Sequence, residues 1–284
     1  MTIIDGTLHA KNILEDLESD IQELAVNNIK VGLAIVLVGD NPASSVYVSN
    51  KMAKAKEIGI EARLIKLPDD IDEETLCAEI YDLNEDRDID GIIVQLPLPK
   101  HIDKHLIQGS IAPEKDVDGL NPVNAGLLYS GSDLGFVPCT PLGCLYLIET
   151  CCEELRGKHA VIIGRSDIVG KPLAALLLEN DCTVTICHSH TKNLKDITCR
   201  ADIVVAAMGQ GHFLTKEYFN KDAIVIDVGI TRLKSSEIIG DVDFENVKDH
   251  VAYITKVPGG VGPMTIAYLL ANTVMAAKMR FALE

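Results

Sequence analysis

The chain has 284 residues, 47% of them hydrophobic, and a formal net charge of −16. That length and apolar content suit two packed domains, and the charge opposes binding to nucleic-acid backbones and anionic membranes. Aromatic residues make up 4% of the sequence and tryptophan is absent, which removes the stacking surfaces of a single-strand nucleic-acid binder.

No apolar run is long enough to span a bilayer, and the N-terminus passes into an acidic helical pattern without a basic, apolar leader. A soluble, cytoplasmic protein is expected. The eight cysteines, Cys77, Cys139, Cys144, Cys151, Cys152, Cys182, Cys187 and Cys199, form no C-x-x-C pair and no zinc-like spacing, so reduced structural thiols and no metal are expected.

From Leu8 to about Asn27, apolar Leu8, Ile13, Leu14, Leu17, Ile21, Leu24 and Ala25 recur at helical spacing and predict a surface helix. Val31 to Val38 reads as a buried strand. After the turn Gly39-Asp40-Asn41-Pro42, Ser44 or Ser45 is the candidate cap of a helix over Val46 to about Ile58. Tyr47 and Lys51 lie one turn apart on it, so phenol and amine can face one ligand; a half-buried tyrosine beside a solvated lysine would give the same spacing. Short-chain dehydrogenases also use Y-x-x-x-K, but after their glycine-rich loop, whereas this pair comes far ahead of one.

Ala62 to Leu67 predicts a second strand, Glu73 to about Glu85 a helix, and Gly91 to Leu96 (GIIVQL) a third strand ended by Pro97 and Pro99. Gln95 is the one polar residue of that run. At the C-terminal end of a parallel strand it stands where open α/β sheets bind ligands, or it satisfies loose backbone groups. The loop Lys115-Asp116-Val117-Asp118-Gly119 is a ligand-touching loop or an acidic turn. A helix over Cys144 to about Leu155 is expected to lead into the second domain.

Ala160 to Ile163, Gly164-Arg165-Ser166-Asp167-Ile168-Val169-Gly170 and a helix with Pro172 in its first turn form a strand, a tight loop and a helix in succession. Backbone N–H groups and a helix N-terminus at such a crossing suit a dinucleotide pyrophosphate. Ser166 replaces the middle glycine of G-x-G and Gly170 is one place late, so the loop could equally be a plain glycine-bounded turn. Thr183 to Cys187, Asp202 to Met208 and Ala223 to Val228 are further buried strands, as parallel βα units require. Pro258 to Thr265 (PGGVGPMT) is too glycine-dense for an ordinary helix entry, and a helix over Ile266 to about Phe281 closes the chain.

SSVYVSNK with Tyr47 and Lys51, VQLPLP with Gln95, KDVDG with Asp118, PCTPLG from Pro138, GRSDIVGKP from Gly164 and PGGVGPMT from Pro258 occur in one order. Together they make the chain resemble, from end to end, the bifunctional methylenetetrahydrofolate dehydrogenase/methenyltetrahydrofolate cyclohydrolase family. The resemblance implies an α/β fold of two domains. An N-terminal catalytic, folate-binding domain (1–121) is completed by a returning C-terminal helix (266–284), and a Rossmann-type parallel sheet (122–265) binds the nucleotide, with the active site in the cleft between them.

It also implies oxidation of 5,10-methylenetetrahydrofolate with NADP, then hydrolysis of the methenyl product to 10-formyltetrahydrofolate. Lys51, Tyr47, Gln95 and Asp118 would be catalytic and, with Pro258 and Gly259, bind substrate. Gly164, Arg165, Ser166, Gly170, Ser189 and Ile230 would hold the cofactor. NADP is expected because TVTIC is followed by His188-Ser189-His190-Thr191, with no carboxylate to repel a 2′-phosphate. The family favours a homodimer, and no segment remains for a formate–tetrahydrofolate ligase domain. The competing expectations are another two-domain NADP dehydrogenase, of the shikimate or amino-acid type, and a non-catalytic nucleotide-binding protein of the same fold.

Overall fold

The computed structural model describes residues 1–233 and 235–281, apart from the side chain of Ala43. In chain order the elements are β1 (Thr2–Ile4), α1 (Gly6–Val26), β2 (Gly32–Val38), α2 (Pro42–Glu57), β3 (Glu61–Leu67), α3 (Glu73–Glu85) and β4 (Gly91–Val94). Three helices follow, α4 (Lys104–Ser110), α5 (Pro122–Tyr129) and α6 (Cys139–Glu149), then β5 (His159–Ile163), α7 (Gly170–Glu179), β6 (Thr183–Cys187), α8 (Leu194–Thr198), β7 (Ile203–Ala206) and β8 (Ile224–Asp227). The chain ends with a small antiparallel pair, β9 (Thr231–Arg232) and β10 (Ile238–Ile239), then α9 (Phe244–Val247), β11 (Tyr253–Thr255) and α10 (Val261–Arg280).

These elements form two compact units. One holds Lys11–Cys139 and the chain from Ile266 onward; the other holds Met1–Ala10 and Thr140–Thr265.

The first unit is built on a parallel sheet ordered β3-β2-β4. Every residue of β2 and β4 is buried, as continuous apolar runs in a sheet covered on both faces must be, while the edge strand β3 keeps exposed positions. Leu76, Ile80 and Ile107 pack on one face with Ala34, Val36 and Ile92. Beyond β4, Ile92 pairs in parallel with Asp116, and a turn then carries the chain through Val117 and Asp118.

The part of α10 in this unit secures that loop. The buried Asn272 amide donates to the carbonyls of Val117 (2.9 Å) and Val137 (3.2 Å). Farther along, Lys278 pairs with Asp20 and Arg280 with the buried Asp90. Residues 122–139 pack here too, through Asn124, which donates to Pro113 O and to Asp116.

The second unit carries a six-stranded parallel sheet ordered β1-β11-β8-β7-β5-β6. From β5 the chain steps outward to β6 and then returns past β5 to β7. That reversal is the switch point at which doubly wound sheets bind ligands, and it lies at the C-terminal ends of β5 and β7.

Several boundaries differ from the sequence expectation. Helix α2 starts at Pro42, because the Asn41 side chain accepts from Ser44 N (3.3 Å); Ser45 instead donates its hydroxyl to Asn41 O, and neither serine is the cap. Helix α6 spans Cys139–Glu149 instead of Cys144 to Leu155, since Pro141 falls in a first turn that needs no N–H there. The glycine-dense motif does enter a helix, at Val261. Leu8 is exposed, and the buried stripe of α1 is Ala10, Leu14, Leu17, Ile21 and Leu24. The short strands β1 and β11 were not anticipated.

Gly119 shows how tightly the Asp118 loop is set. Its φ is +68°, and a Cβ there would lie 2.6 Å from Pro138 N and Val137 C. Gly119→Ala is therefore expected to lower unfolding stability by at least about 1 kcal/mol, read as a shift of the urea midpoint.

Candidate active site

The first unit brings Lys51, Gln95 and Asp118 together. Lys51 projects inward from α2 and is only 7% exposed. Its amine donates to Gln95 Oε1 at 3.0 Å, and the Gln95 amide donates to Leu96 O at 2.7 Å, which fixes the oxygen toward the lysine. Gln95 is set just past β4, held by its backbone N–H to Val36 O (2.9 Å). Tyr47, half-buried, lies one turn before Lys51 on the same helix.

Burial lowers the pKa of Lys51 from the ordinary 10.5, because an ammonium loses its hydration there; the Asp118 carboxylate pulls the other way. For Asp118 the signs are mirrored. Desolvation raises it, while Lys51 and the Cys139 thiol beside it lower it, and part of its surface remains solvent-accessible. The result is a lysine able to trade a proton nearer neutrality than a solvated one.

Asp116, two residues before Asp118, is 1% exposed and accepts from Asn121 N (2.7 Å) and the Asn124 amide (2.9 Å). Burial pushes it up to about 7. Cys139 is buried against the same loop, its thiol donating to Val117 O at 3.3 Å, and desolvation raises its pKa. The sequence reading assigned neither residue a place at the site.

The nucleotide candidates fall in the second unit. Gly164 follows β5 with φ +142°, and a Cβ on it would stand 2.2 Å from Ala207 O; one on Gly170 would stand 2.2 Å from Gly164 O. The loop is thus closed on itself with room only for glycine at both ends. Val169 gives α7 no side-chain cap, and the loop itself takes the Lys171 N–H through Ser166 O (3.1 Å). Arg165, Ser166 and Ser189 are exposed, and Ser166 Oγ accepts from Val169 N (3.2 Å). These features fit a dinucleotide phosphate.

Exposed Ile230 follows β8. Pro258 and Gly259 also belong to this unit, where Gly259 O accepts from Thr7 N at 3.1 Å.

The family model described as the tetrahydrofolate dehydrogenase/cyclohydrolase catalytic domain matches residues 4–118, and the corresponding NAD(P)-binding domain matches 138–281. The bifunctional protein FolD of Rickettsia bellii is 58% identical over 98% of this chain and 98% of its own. The chain belongs to the tetrahydrofolate dehydrogenase/cyclohydrolase family.

Among solved structures, the bifunctional FolD methylenetetrahydrofolate dehydrogenase/cyclohydrolase of Campylobacter jejuni superposes with a TM-score of 0.97 at 48% identity, covering 99% of both chains. The FolD of Trypanosoma brucei, solved with NADP and an inhibitor, gives 0.95 at 38% identity over 99% of this chain and 98% of its own. Tyr47, Lys51, Gln95 and Asp118 all lie within the family's catalytic domain, and Gly164 to Ile230 within its NAD(P)-binding domain.

Asp116 also sets a pH dependence. Its folded-state value of about 7 exceeds the ordinary 3.8, so the folded protein holds an extra proton between the two, and stability falls as pH rises across that window. Asp116→Asn is expected to remove a stability difference of at most about 3 kcal/mol between urea midpoints at about pH 5 and about pH 8. An unchanged slope would rule out a proton on Asp116.

Proposed function

We propose that the chain oxidises 5,10-methylenetetrahydrofolate with NADP and hydrolyses the resulting methenyl cation to 10-formyltetrahydrofolate, with Lys51 as the proton carrier. The observation that carries this reading is the buried Lys51 amine, aligned by Gln95 Oε1 at 3.0 Å and opposed by Asp118.

Bound NADP supplies the acceptor for the hydride that leaves the methylene carbon. For the second step, water attacks the methenyl carbon, and neutral Lys51 takes its proton as the C–O bond forms. The ammonium then returns that proton to the departing nitrogen as the C–N bond breaks, and the carbinol hydroxyl releases its remaining proton to solvent, leaving an N-formyl group. Gln95 keeps the amine pointed at the reacting carbon, which a freely rotating lysine would not maintain. A cationic substrate adds like charge to desolvation, and both favour the neutral amine that the water step needs.

Asp118 accepts from the amino and ring N–H groups of the pterin, and Tyr47 orients the substrate from the same helix face as Lys51. Pro258 and Gly259 contribute to substrate binding. On the nucleotide side, the N–H groups of the Gly164 to Gly170 loop and the α7 N-terminus hold the pyrophosphate. Arg165, Ser166 and Ser189 would bind the 2′-phosphate, and the Ile230 backbone would hold the nicotinamide end.

Among the described residues no helix is long and apolar enough to cross a membrane. With the net charge of −16, that supports a cytoplasmic enzyme without nucleic-acid or membrane partners. The family resemblance supports a homodimer.

Lys51→Met, which removes the amine but keeps an apolar stem, is expected to cut hydrolysis of methenyltetrahydrofolate by about 10²–10⁴-fold in an absorbance assay while the protein stays folded. Full hydrolysis in that variant would sink the assignment. In the wild type, the hydrolysis rate should climb with pH through an ionisation below the ordinary lysine value of 10.5. NADP should show a Michaelis constant about tenfold or more below that of NAD, the scale of a charge-assisted contact to the extra phosphate; a lower value with NAD would refute the cofactor choice.

A further inference from the structure

Two buried carboxylates in the second unit have no part in the scheme above. Asp227, the last residue of β8, is 2% exposed and accepts from the backbone N–H groups of Gly229 (2.9 Å), Asp241 (3.0 Å) and Val242 (2.9 Å). Asp241 is fully buried and accepts from Met208 (2.7 Å), Gly209 (3.0 Å) and Gln210 (2.6 Å). Among the described residues no ion pair involves either, so amide dipoles alone answer the charge.

Such an arrangement is costly, since desolvation, the largest effect on Asp227, pushes it up to about 7 and Asp241 adds to the rise. The surrounding chain is shaped to keep it. A Cβ on Gly240 would lie 1.9 Å from Asp227 Oδ2, and one on Gly229 would lie 2.2 Å from Asp241 Cγ.

The groups held by the pair are the segments that leave β7 and β8 at their C-terminal ends. Met208, Gly209 and Gln210 come directly after Ala207, whose carbonyl crowds Gly164 of the phosphate loop. Gly229 comes directly before Ile230. One continuous chain of contacts therefore runs from Gly164 through Ala207, Asp241 and Asp227 to Ile230.

We propose that Asp227 and Asp241 are positioning residues for the dehydrogenase step, a buried carboxylate pair that presets the loops after β7 and β8 to receive the nicotinamide half of NADP. The inference rests on the cofactor reading given under Proposed function. Touching neither substrate nor cofactor, the pair acts by holding backbone N–H groups in place before binding, so that the cofactor does not have to order these loops. The Lys51 site lies in the other unit and its hydrolysis consumes no NADP, so the two activities separate the effect.

Asp241→Asn turns one acceptor face into an N–H₂ group that opposes the amides it should receive. In the folded variant, the Michaelis constant and the calorimetric dissociation constant for NADP should rise about tenfold or more, while hydrolysis of methenyltetrahydrofolate stays within about twofold of wild type. Asp227→Asn, which likewise exchanges one carboxylate oxygen for an N–H₂ group, should show a change of the same kind. NADP affinity within about twofold of wild type in both folded variants, or equal loss of both activities, would overturn the proposal.

Wild-type amide hydrogen exchange decides the matter if neither variant folds. Protection of Met208, Gly209, Gln210 and Gly229 without NADP is the expected result; protection appearing only with NADP would overturn preorganisation. A folded wild-type protein that neither binds nor reduces NADP would refute the proposed function itself and this inference with it.

Discussion

A lysine amine withdrawn almost completely from water must lose its proton readily or be compensated by its surroundings, and this fold supplies a balance between the two. Desolvation favours the neutral amine, Asp118 favours the cation, and Gln95 accepts a hydrogen bond from either form. Desolvation is the larger effect and leaves the amine below the ordinary 10.5, the direction a group needs if it is to take up and release a proton during one turnover. The architecture of the first unit serves that balance. Gln95 is placed by the end of β4, and Asp118 by the parallel pairing of Ile92 with Asp116. Asn272 on the last helix then fixes the Val117 carbonyl next to Asp118.

Both units place their functional groups by the same rule. In a parallel sheet all strands point one way, so the side chains and amides just past their C-terminal ends converge on one edge. In the first unit those groups are Gln95 and Asp118. In the second they are Gly164 after β5, Ala207 after β7 and Asp227 closing β8. The buried carboxylates at these edges, Asp116 in one unit and Asp227 with Asp241 in the other, answer a common problem: loops that leave a sheet carry backbone N–H groups with no strand to receive them, and a carboxylate accepts several at once.

Where sequence reasoning failed, it failed for identifiable reasons. β1 and β11 are three residues each, too short for a period to register, and exist because Thr2–Ile4 pairs with Tyr253–Thr255, which pairs in turn with β8. Glycine density hid the start of α10 because the motif is set by local conformation, Gly259 at φ +102°, and not by helix propensity. Asp227 and Asp241 read as ordinary acidic residues, since nothing in a linear string distinguishes a solvated aspartate from one that collects three amides.

The sequence by itself determined the parallel βα character of both halves, through short buried apolar runs separated by helical patterns. It also singled out Lys51, Gln95, Asp118 and the Gly164 loop, because each is a chemically distinctive residue or turn at a position the local pattern leaves open. Only the tertiary structure decided that the Lys51 amine is desolvated, that the Gln95 oxygen faces it, and that Asn272 of the last helix holds the Val117 carbonyl. Those outcomes depend on contacts between residues far apart in sequence, Lys51 with Gln95 and Asn272 with Val117 among them. Burial, and with it every pKa that matters here, is a property of the packed neighbourhood and is absent from the string until the chain has folded.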